Sequence, residues 1–162
     1  MPRAKSATRS QGTRSQGTRA LEDQSLSTTE ELDLLHRITH IIGSTLDLRT
    51  ILQEIVALVS GLTKADACFI YLHEPSQRSL VLSASKPPHP GEIDQLRLRM
   101  GEGLTGWVAE HKKPLSIPEK AHEDHRFKFF HSLPEDKFEA FLSVPLLVKD
   151  GVVGVINVQH KK

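Results

Sequence analysis

The segment Gly101-Glu102-Gly103-Leu104-Thr105-Gly106 constrains this chain most. It lies between an apolar run ending at Met100 and a short amphipathic stretch ending at His111. Glycine tolerates backbone angles and close approaches that side chains forbid. The chain therefore turns sharply here and starts a helix beside another surface. Gly101, Gly103 and Gly106 also match the G-x-G-x-x-G spacing of a dinucleotide fingerprint. That fingerprint belongs to a parallel βαβ unit with a full helix and an acidic residue about 20 positions on. Pro114 and Pro118 leave no room for such a crossover helix, so the glycines read as a tight strand-to-helix junction.

The 162 residues are 38% hydrophobic and 25% charged, which suits one globular domain with a tail. A net charge of +1 gives no global field toward nucleic acid or membrane. The charge is uneven: Arg3, Lys5, Arg9, Arg14 and Arg19 are basic, no acid accompanies them, and the remainder is mildly acidic. Cys68 is the only cysteine, which excludes an internal disulfide and a cysteine-rich metal site. The basic N-terminus lacks the apolar run of a secretory signal, and no apolar stretch is long enough for a membrane span. The expected location is cytoplasmic.

Residues 1–28 read as a disordered basic tail. The repeats Thr8-Arg9-Ser10-Gln11-Gly12 and Thr13-Arg14-Ser15-Gln16-Gly17 contain nothing to bury. A weak anchor to RNA or anionic lipid is the functional alternative to a solvated leader. Residues 29–162 are the expected domain. Hydroxyls then acids in Ser27-Thr28-Thr29-Glu30-Glu31 signal a helix start, and Leu34, Leu35, Ile38, Ile41 and Ile42 recur at helical spacing up to Gly43. Asp47 caps a second predicted helix whose broad apolar face runs from Ile51 to Leu62.

From Ala67 the period changes to that of strands. The predicted strands are 67–73, 79–84, 96–100 and 115–117, then 141–148 and 152–159. The residues Glu74-Pro75-Ser76-Gln77-Arg78 form the first hairpin loop, and Asp150-Gly151 is a two-residue turn signal for the last. Pro145 removes a ladder donor, which points to an edge or a bulge. Residues 119–138 are a polar loop with embedded phenylalanines. Two helices followed by about six short antiparallel strands make an α+β domain.

In their order and spacing these pieces resemble the GAF domain family. The matching stretches are Leu46-Asp47-Leu48, Gly101 to Glu110 with Pro114, and the closing pair from Phe141-Leu142-Ser143-Val144-Pro145-Leu146 to Gly151-Val152-Val153-Gly154-Val155-Ile156-Asn157-Val158-Gln159. The loop His125-Arg126-Phe127-Lys128-Phe129-Phe130 is similar to the GAF module of nitrogen-type phosphotransferase enzyme I and to GAF modules fused to antitermination domains. The resemblance implies a six-stranded antiparallel sheet, helices on one face and a ligand pocket with short helices and loops on the other. It implies a bacterial, non-catalytic regulatory module that senses a small metabolite. It further implies a homodimer through residues 30–62 and an effector domain C-terminal to this chain. The closing C-terminal helix usual in the family has no counterpart before Lys162.

Within that framework Trp107, Phe127, Phe130 and Phe141 supply aromatic lid and wall. Ser143, Asn157 and Gln159 are polar residues inside apolar strands, as expected of a ligand site. The alternative is that these polar groups satisfy one another, leaving a ligand-free dimerisation module. No cofactor, metal site or catalytic residue is expected. His36 and His40 stand four apart on a helix and read as a solvated or dimer-facing edge, while His122, His125 and His131 cluster loosely and read as part of a solvated loop. Cys68 reads as a buried, inert thiol, since a sulfoxide reductase of this family needs more than one cysteine; a reductase of an oxidised metabolite acting through Cys68 is the third alternative. The asparagine-lysine pair of cyclic-nucleotide-binding members is absent.

Overall fold

The computed structural model describes residues 27–44 and 47–161; the tail expected over 1–28 lies almost wholly outside them. The chain divides into two compact units between His40 and Ile41.

Helix α1 (Thr28–Ser44) opens on a reciprocal cap. The Glu30 amide donates to Ser27 Oγ at 3.3 Å, and the Ser27 amide donates to Glu30 Oε2 at 2.8 Å. Leu32, Leu35 and Ile38 on α1 are exposed. Helix α2 (Leu48–Thr63) begins at Asp47, whose carboxylate accepts from the amides of Arg49 and Thr50, and ends at Lys64 in the left-handed region. Leu52, Val56 and Leu58 are buried on it.

Six strands follow: β1 (Ala67–Glu74), β2 (Ser79–Lys86), β3 (Arg97–Arg99), β4 (Leu115–Ile117), β5 (Ala140–Val148) and β6 (Gly151–His160). They form one antiparallel sheet in the order β3-β2-β1-β6-β5-β4. Helix α3 (Gly103–His111) joins β3 to β4. The fold is the predicted six-stranded α+β arrangement.

Alternation along the strands sorts the sheet into two cores. On β1, Cys68 and Ile70 pack with Leu52 and Val56 of α2, while Phe69 and Tyr71 pack with Val108 and Ala109 of α3. The cover on the α2 side thins toward β5, where Leu142 is 38% exposed.

Two details differ from the sequence reading. The third strand is shorter than 96–100, because the Leu96 amide turns back to the Glu92 carbonyl at 2.9 Å, although the Leu96 carbonyl still accepts from the Leu82 amide of β2. In the last hairpin the register slips between Leu146 and Leu147, so Val148 faces Gly151 and the turn is Lys149-Asp150. The positive φ (142°) falls on Gly151, and the extra residue in β6 is the exposed Val153. Pro145 sits beyond the three residues of β5 that β4 covers, on an edge and beside that slip.

Candidate functional site

The glycine segment builds the roof of the inner core. Gly101 (φ 81°) and Gly103 (φ 67°) take angles that other residues resist. A Cβ on Gly106 would lie 2.5 Å from the Arg99 carbonyl, so only glycine lets α3 start this close to the turn before it. Helix α3 thereby lies against the inner face with Leu104, Thr105 and Val108 buried.

Under the first turn of α3 is a cavity of about 30 Å³, room for a water or two. Its apolar wall includes Phe69, Tyr71, Leu98, Leu133 and Phe141; its polar wall includes Thr105, Lys128, Asn157 and Gln159. A larger open groove of about 520 Å³ lies at the C-terminal end of α3, among His73, Arg78, Glu110, Lys112 and Val152. Its charges are mixed and its lining open to solvent. The small cavity is the better candidate because buried polar groups converge on it.

The cross-strand register brings Ser143 opposite Asn157 and Phe141 opposite Gln159. Ser143 Oγ donates to Asn157 Oδ1 at 2.7 Å, and Asn157 Nδ2 donates to Thr105 Oγ1 at 2.7 Å. These three buried groups satisfy one another. Gln159 is 5% exposed, and no hydrogen bond reaches its carboxamide among the described residues.

The loop from 119 to 138 closes the mouth and is fastened at two points. Lys128 Nζ donates to Glu102 Oε1 at 2.5 Å, and the Arg99 amide donates to Glu102 Oε2 at 2.8 Å. Burial alone would raise the Glu102 carboxyl, but the Arg99 amide and the Lys128 ammonium hold it below the usual range. The Arg126 guanidinium lies 4.9 Å from the centroid of the Trp107 ring, which also stacks on His111 at 4.3 Å. Arg126 forms a paired contact with Asp124 (2.9 and 2.7 Å), and that hydrogen bonding lowers the Asp124 carboxyl to about 2.

Of the residues expected at the site, Phe127, Phe130, Phe141, Asn157 and Gln159 line the cavity. Ser143 stands behind Asn157. Trp107 is half-buried, packs on the core from the lid side and does not reach the cavity wall. Thr105, Lys128 and the backbone of Gly103 were not anticipated. The one available signal was a threonine hydroxyl in a segment that otherwise packs inward. Cys68 faces α2 across the sheet from the cavity, and burial pushes its thiol up to about 11. His122 and His125 lie in or beside the short helical turn Ala121–Glu123, and no group of three potential metal ligands forms among the described residues. The side chain of His40 lies outside the described ones. No described helix is long and apolar enough to cross a membrane.

A family model described as "GAF domain" matches residues 45–162. The chain is 28% identical over 156 residues to the dual 3',5'-cyclic-AMP and -GMP phosphodiesterase 11 of Drosophila melanogaster. That match covers 87% of this chain but 11% of the fly protein, so the chain corresponds to a small part of such relatives. The solved GAF domain of an Acinetobacter phosphoenolpyruvate-protein phosphotransferase superposes with a TM-score of 0.70 at 31% identity, covering 82% of this chain and 77% of that one. The corresponding domain from Coxiella burnetii gives 0.75 at 25% identity, covering 85% and 81%.

Proposed function

The chain belongs to the GAF domain family of regulatory domains, and from that premise we propose that it is a non-catalytic sensor. A small molecule binds between α3 and the inner face of the sheet. The helices carry its presence, across a homodimer formed through residues 30–62, to an effector domain C-terminal to this chain, in the cytoplasm. The observation that carries this reading is the convergence of buried Thr105, Asn157 and Gln159 on one aromatic cavity under a lid. An entirely apolar packing would satisfy the fold with less desolvation. A guest larger than a water or two must displace the lid, so affinity depends on how readily the Glu102–Lys128 and Arg126–Trp107 contacts part. Occupancy shifts the helices only if the guest binds one helical arrangement better than the other.

A broad metabolite screen by thermal shift tests the proposal. At least one compound should raise Tm and lose its effect when Gln159 is replaced by Leu. A screen without a stabilising compound would remove the sensor reading.

One observation favours a second reading, a ligand-free dimerisation module: Ser143, Asn157 and Thr105 already satisfy one another over a cavity of only about 30 Å³. It predicts self-association that no metabolite alters and that a charge at Leu35 or Ile38 breaks. A cysteine-based reductase is disfavoured by the position of Cys68 on the α2 side and by its raised thiol.

A further inference from the structure

Helix α3 meets the cavity with its first turn uncapped. Gly103, Leu104 and Thr105 all line the cavity, and no hydrogen bond reaches their amides among the described residues. Glu102 stands at the N-cap, yet its side chain does not cap; it accepts from Arg99 and Lys128 instead. Free N–H groups at a helix start, backed by the helix dipole, attract negative charge. Gln159, 5% exposed, independently brings a carboxamide without a described partner to the same cavity. A water can satisfy any one of these groups; their presence together in the lining of one cavity points to a polar guest.

Charge limits what that guest is. Lys128 lines the cavity, and Glu102 takes one of the three N–H donors of its ammonium. The second oxygen of Glu102 is held by the Arg99 amide, so the carboxylate stays where it is when Lys128 swings toward a guest. Lysine and glutamate nearly cancel, leaving the partial positive charge of the helix end, roughly half a unit. One negative charge suits that field better than two. Apart from Asn157, which Thr105 and Ser143 already satisfy, the rest of the wall is mostly aromatic and aliphatic, with Phe69, Phe127, Phe130 and Phe141 prominent.

We propose, resting on the sensor reading above, that the cavity takes a small organic monoanion: a carboxylate on an apolar or aromatic body. The carboxylate sits on the first-turn amides of α3 and on Lys128, with the Gln159 carboxamide as a further contact. The body displaces Phe127 and Phe130 with the lid.

Titration calorimetry of the whole chain at neutral pH with three carboxylates (benzoate, phenylacetate and 3-methylbutanoate), each against its primary amide, tests this. The amide keeps the shape and removes the charge. At least one carboxylate should bind tenfold or more tightly than its amide, and Lys128→Gln should weaken it about tenfold while changing amide binding less than twofold. If Lys128→Gln does not fold by circular dichroism, the unmodified chain decides: raising salt from low to high should weaken the carboxylate and leave the amide unchanged. Equal binding of acid and amide, or affinity indifferent to both Lys128 and salt, overturns the carboxylate proposal and leaves the sensor reading standing. So does failure of all three pairs when the broad screen finds a neutral ligand. Failure of the pairs and of the broad screen together overturns both.

Discussion

Asn157 on β6 donates its side-chain amide to the Thr105 hydroxyl on α3 at 2.7 Å, the one described hydrogen bond between those side chains that ties helix to sheet across the inner core. Replacing Asn157 by Ala orphans both the Thr105 and the Ser143 hydroxyls in a buried setting. Urea denaturation should show a loss of about 1–3 kcal/mol. A smaller loss for the double change Asn157→Ala with Thr105→Val than for Asn157→Ala alone would identify the unmet Thr105 hydroxyl, not lost packing, as a cause.

Two glycines should respond to the same change with opposite sign. Gly106→Ala forces a Cβ to 2.5 Å from the Arg99 carbonyl and should cost about 1–3 kcal/mol through overpacking. Gly61→Ala lies within α2 with nothing inside 4 Å of the new Cβ, and should stabilise by about 0.5–1 kcal/mol. Thermal melts of the two variants give the comparison directly.

The Asp124–Arg126 pair should leave an acid signature. Asp124 has a carboxyl lowered from 3.8 to about 2 in the fold, so its contribution is fully present above about pH 4. It is lost as pH falls toward 2 and through the folded-state value. Asp124→Asn has no carboxyl to titrate there. The stability gap between wild type and Asp124→Asn should be of order 1–2 kcal/mol near neutrality and close between pH 4 and 2. A gap constant over that range would show that the pair contributes nothing by ionisation.

Trp107 is the only tryptophan, and its ring lies against Arg126 of the lid. Arg126→Gln should shift its emission and speed amide exchange across residues 124–133, and because it also breaks the Asp124 pair the global loss should be about 1–2 kcal/mol, no less than that of Asp124→Asn. Unchanged emission would mean that the lid is not held at that point.

Cys68 should resist thiol reagents in the folded protein, since burial raises its thiol to about 11 and exposure is 0%. Labelling at pH 8 should track the unfolded fraction in urea. Fast labelling without denaturant would reopen the reductase reading.

Much of this was legible in the sequence because it rests on local rules. Asp47 is a cap wherever a helix follows it, and period-two runs located the strands to within a few residues. Polar Asn157 and Gln159 in an apolar strand marked the cavity because strand parity alone assigns them one face. Thr105 and Lys128 were missed because their roles depend on where α3 and the lid come to rest on the sheet, a tertiary matter. Trp107, expected in the aromatic lid and wall, lies two residues past Thr105, about 200° round a helix, which turns its ring to Arg126 of the lid loop and to His111. The final turn fell one residue early because the slip after Leu146 depends on pairing, which the Asp-Gly signal does not report.

Consecutive side chains of β1 belong to different neighbourhoods: Phe69 is 1% exposed on the cavity side and Ile70 is 1% exposed against α2. The strand is thus a partition packed on both sides, with only the small cavity beside Phe69 left unfilled. Dense interiors compress little, so anything that pushes the phenylalanine outward leans on the isoleucine behind it. No chain of special contacts is needed to connect the two layers, since one backbone serves as wall to both. A bulkier or smaller residue at position 70 should therefore alter how tightly the cavity closes, although it never touches what enters.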